Sequence, residues 1–137
     1  MIVTLLATII SATLFAPAGN SETDVEAINW LLDPTRPYEP LWKAVCEVES
    51  SNNVFAVNED EQAYGISQIR QIRLDDYNNR TGKNITLTDC FDYNVSREVF
   101  MYYALMYDTS EFETIARRWN GSGQMTVVYW GKVKSRI

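Results

Sequence analysis

Apolar residues recur along this chain mostly at the three- and four-residue spacing of amphipathic helices. Residues 24–32 carry a short pattern of this kind, with Ser21 and Thr23 placed to cap it. Asp33 to Pro40 holds Pro34, Pro37 and Pro40 and reads as a loop. Leu41 to Ser50 predicts a helix, with Pro40 at the first position, where a missing N–H loses no hydrogen bond. Asn52 to Ala63 is polar and acidic and reads as a loop. Ile66 to Tyr77 returns to helical spacing, with Ile66, Ile69 and Ile72 on one side. A turn-rich stretch, 78–92, precedes a strongly apolar helix over Val95 to Tyr107. Glu111 to Trp119 is a further helix, ended by Asn120-Gly121-Ser122-Gly123. Gln124 to Val133 reads as a helix, although Val127-Val128-Tyr129-Trp130 has the composition of a strand. The pattern predicts one small, mainly α domain, α+β at most and with little sheet.

The phase of the 41–50 helix singles out one acid. Trp42, Cys46 and Glu49 fall at i, i+4 and i+7, on one face, and Leu41, Val45 and Val48 form the adjacent row. Glu49 therefore continues an apolar stripe, whereas Glu47 lies roughly 160° away around the helix. Glu49 also sits at the C-terminal end, where the helix dipole is negative. Desolvation and that dipole both disfavour the carboxylate and so raise its pKa. A carboxylic acid kept protonated near neutral pH can serve as a general acid. The plainer reading of Glu49 is a helix-end acid that is solvated or paired with an Arg.

Composition narrows the chemistry further. The 137 residues include no His, two Cys, 12 Lys+Arg and 18 Asp+Glu, for a net charge of −6. The absence of His excludes a Ser-His-Asp triad, a Cys-His pair and any imidazole acid or base. Two cysteines do not make a zinc site by themselves. The excess of acids argues against a nucleic-acid partner, because neutralising phosphates takes a basic surface. Acid–base work therefore falls mainly to carboxylates.

No charged residue precedes Glu22. Ile2 to Phe15 is mostly apolar, too short for a transmembrane helix of about 20 residues, and Ala16-Pro17-Ala18 follows as a small-x-small pattern. These features predict a signal peptide over residues 1–18, with residues 19–137 exported to the periplasm or beyond and no membrane span after cleavage. In an oxidising compartment Cys46 and Cys90 are candidates for one disulfide. The alternative is two buried thiols acting as small hydrophobes.

Four short segments, in order, carry a family resemblance. Val48-Glu49-Ser50-Ser51-Asn52 resembles the "E-S" motif of the soluble lytic transglycosylases, relatives of goose-type lysozyme. Ala63-Tyr64-Gly65-Ile66-Ser67-Gln68-Ile69 resembles that family's "G-[LI]-x-Q-[LI]" segment, and Phe91-Asp92-Tyr93-Asn94-Val95 its "D-P-x-x-N-I" segment. Ile115 to Gly123 resembles its "A-x-A-Y-N-x-G" segment, with Trp119 where the family has Tyr. Tyr129, followed by an apolar residue, stands where the family often has a Tyr. Each block is a weak signal alone, and their order over 41–133 makes the resemblance specific.

The resemblance implies a lysozyme-like fold and cleavage of the β-1,4 bond between N-acetylmuramic acid and N-acetylglucosamine in peptidoglycan. Glu49 would be the catalytic acid and then the base, with no metal and no cofactor. Ser50, Tyr64, Gly65, Gln68, Trp119 and Asn120 would bind the glycan. Gly65 would let backbone approach the sugar, Gln68 would offer a donor and an acceptor, and Ser50 would bond an acetamido group. If the family's Tyr touches the catalytic carboxylate, the indole N–H of Trp119 is a donor-only substitute. Two rival readings stay open. One is a hydrolase that activates water through a second carboxylate, with Glu59-Asp60-Glu61 as candidates. The other is a non-catalytic glycan-binding part of an envelope, secretion or phage apparatus, with a partner there. Eight Tyr, five Phe and four Trp permit stacking on sugars, although core is the default for Phe100, Tyr103 and Tyr107. Residues 114–137 carry Arg117, Arg118, Lys132, Lys134 and Arg136 without an acid. That basic end suits either a solvated surface or the carboxylates of stem peptides.

Overall fold

The computed structural model describes residues 21–137, so the expected signal peptide lies outside the described residues. The chain divides into two compact units, one ending at Asp33 and one running from Pro34 to Ile137. In the first unit, α1 spans Ser21–Leu32 and leaves Val25, Ile28, Leu31 and Leu32 exposed.

The second unit is mainly helical with a small sheet. A single 3-10 turn at Arg36–Tyr38 leads into α2, Glu39–Ser50, with Pro40 in its first turn. Leu41, Trp42, Val45 and Cys46 are fully buried, as the apolar face of 41–50 predicts. Ser51 closes α2 in the left-handed conformation, and its N–H and that of Asn52 return to the carbonyls of Glu47 and Cys46.

The acidic stretch read as a loop folds into a short hairpin. β1 (Val57–Asn58), β2 (Ala63–Tyr64) and β3 (Ile69–Arg70) form an antiparallel sheet in the order 1-2-3, with Val57 opposite Tyr64 and Tyr64 opposite Ile69. The helix expected over 66–77 is corrected here. Gly65 and Gln68 both take positive φ, +78° and +51°, which a right-handed helix does not allow. α3 therefore begins only at Gln71 and runs to Thr81. Leu74 and Tyr77 are its buried face, and Ile72 is 78% exposed. The Ile66–Ile69–Ile72 spacing was a coincidence of a tight turn followed by a helix start.

α4, Tyr93–Met106, runs through the core and buries Val99, Phe100, Met101, Tyr103 and Ala104. Asp92 caps it, accepting from the N–H groups of Asn94 at 2.7 Å and Val95 at 3.2 Å. Arg97 of α4 pairs with Glu39 of α2, and Trp42 Nε1 donates to Tyr93 Oη at 2.7 Å. α5, Phe112–Asn120, buries Ile115, Ala116 and Trp119. α6, Met125–Lys134, packs against α5 and α2 through Thr126, Tyr129 and Val133. The strand-like Val127 to Trp130 is therefore helical.

Cys46 and Cys90 are free, buried thiols, which corrects the disulfide expected between them. Each is accommodated as a small apolar side chain of the core, and Cys90 Sγ lies 3.6 Å from the Thr86 carbonyl. Burial pushes the Cys90 thiol up to about 12 and the Cys46 thiol higher still, so neither is a nucleophile at neutral pH.

Candidate functional site

Glu49 sits in the last turn of α2, at the mouth of a cleft of about 320 Å³. The cleft is walled by Glu49, by Asn58 and Glu61 of the hairpin, by Gln68, Arg70 and Arg73, and by Trp119 and Asn120 at the end of α5. Its size lies at the lower end of ligand clefts, roughly 300–1,000 Å³.

Glu49 Oε1 accepts a 2.8 Å hydrogen bond from the hydroxyl of Tyr129 on α6. Burial pushes the Glu49 carboxyl up to about 7. Tyr129, Arg70 and Arg73 pull against that rise by favouring the anion, and Glu61 adds to it. The end of α2 contributes the negative pole of its dipole in the same sense as burial. Glu49 is thus near half-protonated around neutral pH, which suits a group that must give and then take a proton. Burial, and after it the charge of Glu49, leave Tyr129 even less acidic than a free phenol, so Tyr129 is a hydrogen-bond donor and not a base here.

The opposite wall is built by two arginines one turn apart. Arg70 is the extended residue before α3, and Arg73 lies in its first turn. Arg70 Nη1 donates to the Asn120 carbonyl at 3.3 Å, and Arg73 Nη2 donates to the carbonyls of Arg118 at 3.1 Å and Trp119 at 2.8 Å. Cations there satisfy the open carbonyls of the α5 C-terminus and oppose its dipole. Arg73 also lies over the rings of Trp119 at 4.5 Å and Tyr103 at 4.8 Å. Arg70 Nη2 pairs with Glu61 Oε2 at 2.6 Å, which draws a second carboxylate to the rim.

The residues named from sequence divide into two groups. Glu49, Gln68, Trp119 and Asn120 line the cleft together. Gln68 turns its amide protons to the carbonyls of Gly65 at 2.9 Å and Ala56 at 3.3 Å, so its carbonyl oxygen is what it offers a ligand. Trp119 does not bond Glu49 in place of a tyrosine. Its Nε1 donates to the Ser67 carbonyl at 3.2 Å, and Tyr129 makes the bond to Glu49 instead.

Ser50, Tyr64 and Gly65 lie outside the cleft lining. Ser50 donates its hydroxyl to the Ile66 carbonyl at 2.7 Å and ties α2 to the sheet turn. Tyr64 packs on Phe91, with ring centroids 5.8 Å apart. Gly65 is a close-approach glycine, but toward protein: a Cβ there would meet the Cys90 carbonyl oxygen at 2.1 Å. Arg70, Arg73 and Tyr129 were not singled out as site residues from sequence. The apolar i, i+3, i+7 row of Thr126, Tyr129 and Val133 and the family-like Tyr position were the available signals for Tyr129.

Among the described residues no group of three or more His, Cys, Asp or Glu is placed to hold a metal ion, and no helix is long and apolar enough to cross a membrane. In comparisons with known proteins the chain matches no family model, no curated protein and no solved structure.

Proposed function

We propose that the protein is an exported peptidoglycan lytic transglycosylase. The observation that carries this reading is Glu49, a carboxyl raised to about 7 in a cleft and held by Tyr129 Oη at 2.8 Å. The order of the motif segments supports the choice of substrate, and the apolar stretch from Ile2 to Phe15 supports export.

In this scheme protonated Glu49 gives its proton to the glycosidic oxygen as the bond from the muramyl C1 breaks. The leaving N-acetylglucosamine then carries that proton on its 4-hydroxyl. The substrate's acetamido group steadies the positive charge at C1. Glu49, now a carboxylate, takes the proton from the muramyl 6-hydroxyl as that oxygen closes on C1. Glu49 ends protonated, as it began, and no water is consumed. Tyr129 stays bonded to the carboxyl throughout and fixes its orientation. Gln68 and Asn120 offer polar groups to the sugars.

A hydrolase is the second reading, and Glu61 is the observation that favours it, since it shares the cleft with Glu49. Its Oε2 is taken by Arg70 Nη2 at 2.6 Å, so that oxygen is not free to orient a water. Mass spectrometry of digested peptidoglycan separates the two. A transglycosylase leaves anhydromuramyl ends, lighter by one water than the reducing ends of a hydrolase. Exclusively reducing ends would overturn the transglycosylase reading, and Glu49→Gln is expected to stop release of either product.

A further inference from the structure

Two helices among the described residues leave an apolar face open, and the two faces are opposite in charge. In α1, Val25, Ile28 and Leu32 fall at i, i+3 and i+7 on one side, with Leu31 beside them. Each of the four is more than half exposed. Glu22 and Glu26 border that stripe, and residues 21–32 contain no Lys or Arg. In α6 the buried side is Thr126, Tyr129 and Val133. Its other side shows Met125, Val127 and Val128, again each more than half exposed. Lys132 and Lys134 border this second face and make no ion pair among the described residues. Residues 125–137 contain no Asp or Glu. We propose that α1 of one copy docks on the outer face of α6 of a second copy, and that α1 of the second copy docks back in the same way, giving a two-fold dimer.

Exposed aliphatic stripes on helices mark contact surfaces, and charge selects what covers them. Two α1 helices would bring acids together, and two α6 helices would bring lysines together. An α1 on an α6 matches one aliphatic face to the other and opposite charges at its border. Run antiparallel, the pair sets Glu22 and Glu26 near Lys134 and Lys132, while Ile28 and Leu32 cover Val128 and Met125. At 1.5 Å of rise per residue both stretches are about 15 Å long, so the charged and apolar parts meet in the same register.

Gly131 lies between the two lysines on this face, and a Cβ there would meet nothing within 4 Å of its own chain. A helix-interior glycine weakens its helix. Here it leaves a flat floor on which the backbone of a second helix comes close. Each copy carries one face of each kind, so two copies close both contacts and leave neither face open. The reciprocal pair also doubles the buried area, toward the about 1,200 Å² at which stable interfaces begin. The inner side of α6 carries Tyr129 to Glu49, so the dimer uses the side turned away from the acid. The proposal is independent of the reaction that Glu49 performs.

Analytical ultracentrifugation of the purified protein tests it. Over about 5–200 µM at low salt a monomer is expected to pass to a dimer, and about 0.5 M salt is expected to weaken that dimer. Lys132→Glu with Lys134→Glu is expected to raise the dimer Kd about tenfold or more, and Glu22→Lys with Glu26→Lys to do the same. Ile28→Asp and Val127→Asp, which change the apolar part, are each expected to weaken it as much. All six positions are exposed, so every variant should keep the wild-type unfolding midpoint.

The decisive measurement mixes the two charge-reversed proteins in equal amounts. Each α1 then meets an α6 of opposite charge on the other copy, and the dimer is expected to return to near the wild-type Kd. A protein that stays monomeric at every concentration, a dimer that these variants do not weaken, or a mixture that does not recover would each overturn the proposal. A monomer that sediments with phosphatidylglycerol vesicles, and loses them in Lys132→Glu with Lys134→Glu, would overturn it in favour of a lipid surface on α6.

Discussion

Tyr129 of α6 donates its hydroxyl to Oε1 of Glu49 at the end of α2, across 2.8 Å and 80 positions of sequence. Glu49 is buried enough for its charge to be costly, yet it has one strong donor to stabilise that charge when it forms. Burial raises its pKa, and the hydrogen bond with two nearby guanidiniums restrains the rise, which leaves it at about 7. A side chain in that state exchanges a proton with a substrate oxygen without a large energetic penalty in either direction.

Tyr129→Phe is expected to lower kcat about tenfold to a hundredfold, the range set by losing a hydrogen bond to a charged group. The bond favours the anion, so its loss raises the Glu49 pKa further. The alkaline limb of the pH–rate profile should therefore move to higher pH. A lowered kcat with an unmoved limb would mean that Tyr129 acts only in packing.

Glu49→Gln should remove activity and stabilise the fold at alkaline pH. The carboxyl is raised in the native state from its ordinary value of 4.5 to about 7. The native protein thus binds more protons than the unfolded chain between those values, and wild-type stability falls as pH rises through that window. Gln keeps a carbonyl oxygen for Tyr129 and carries no charge. At pH 8 the variant should be more stable by roughly 1–3 kcal/mol, and the gap should close below about pH 4.5. Denaturant unfolding at pH 8 and pH 4 checks this, and a pH-independent difference would contradict it.

The helical phase of Leu41 to Ser50 made Glu49 legible in the sequence, because three turns of one helix carry their own evidence of which side is buried. The mainly α fold with a small sheet was legible for the same reason. Ile66, Ile69 and Ile72 misled because their spacing matches a helix while Gly65 and Gln68 impose positive φ between them. Such a turn is a backbone event, and only the glycine hints at it. Tyr129, Arg70 and Arg73 act on Glu49 from α6, β3 and α3. Their roles come from tertiary placement, which no local window contains. The thiols of Cys46 and Cys90 were left open between bridge and core, and each packs as core.

Glu61→Gln separates tuning from chemistry. Glu61 pairs with Arg70 and raises the Glu49 pKa. The other groups that act on Glu49 are Tyr129 from α6, Arg70 from β3 and Arg73 from α3, all of which favour its anion. Removing the Glu61 charge leaves burial alone to oppose that set, so the Glu49 pKa falls and the alkaline limb of the profile moves to lower pH. On the acid plateau the rate should stay within severalfold of wild type. A general base contributes about 10²–10⁴-fold, so a loss of that size at every pH would assign Glu61 to water activation and the enzyme to hydrolysis.

Gly65→Ala tests what the glycine of the motif does. Gly65 has φ +78°, and its N–H bonds the Ala56 carbonyl at 2.9 Å. A Cβ would stand 2.1 Å from the Cys90 carbonyl oxygen and 2.9 Å from its carbon, and that backbone is fixed by the 2.7 Å bond from Ser96 Oγ to the same oxygen. Relief requires moving the sheet turn or the 3-10 turn at Thr88–Phe91 that holds Cys90, at an expected loss of about 2–4 kcal/mol. Gly82 is the control, since it also has a positive φ, +72°, and a Cβ there would meet nothing within 4 Å. Gly82→Ala should cost about 1 kcal/mol or less, the strain of the left-handed conformation alone. Urea unfolding of both variants decides the matter. Equal losses would mean that the Cys90 contact yields easily, and a stable Gly65→Ala protein with weakened glycan binding would return this glycine to the sugar.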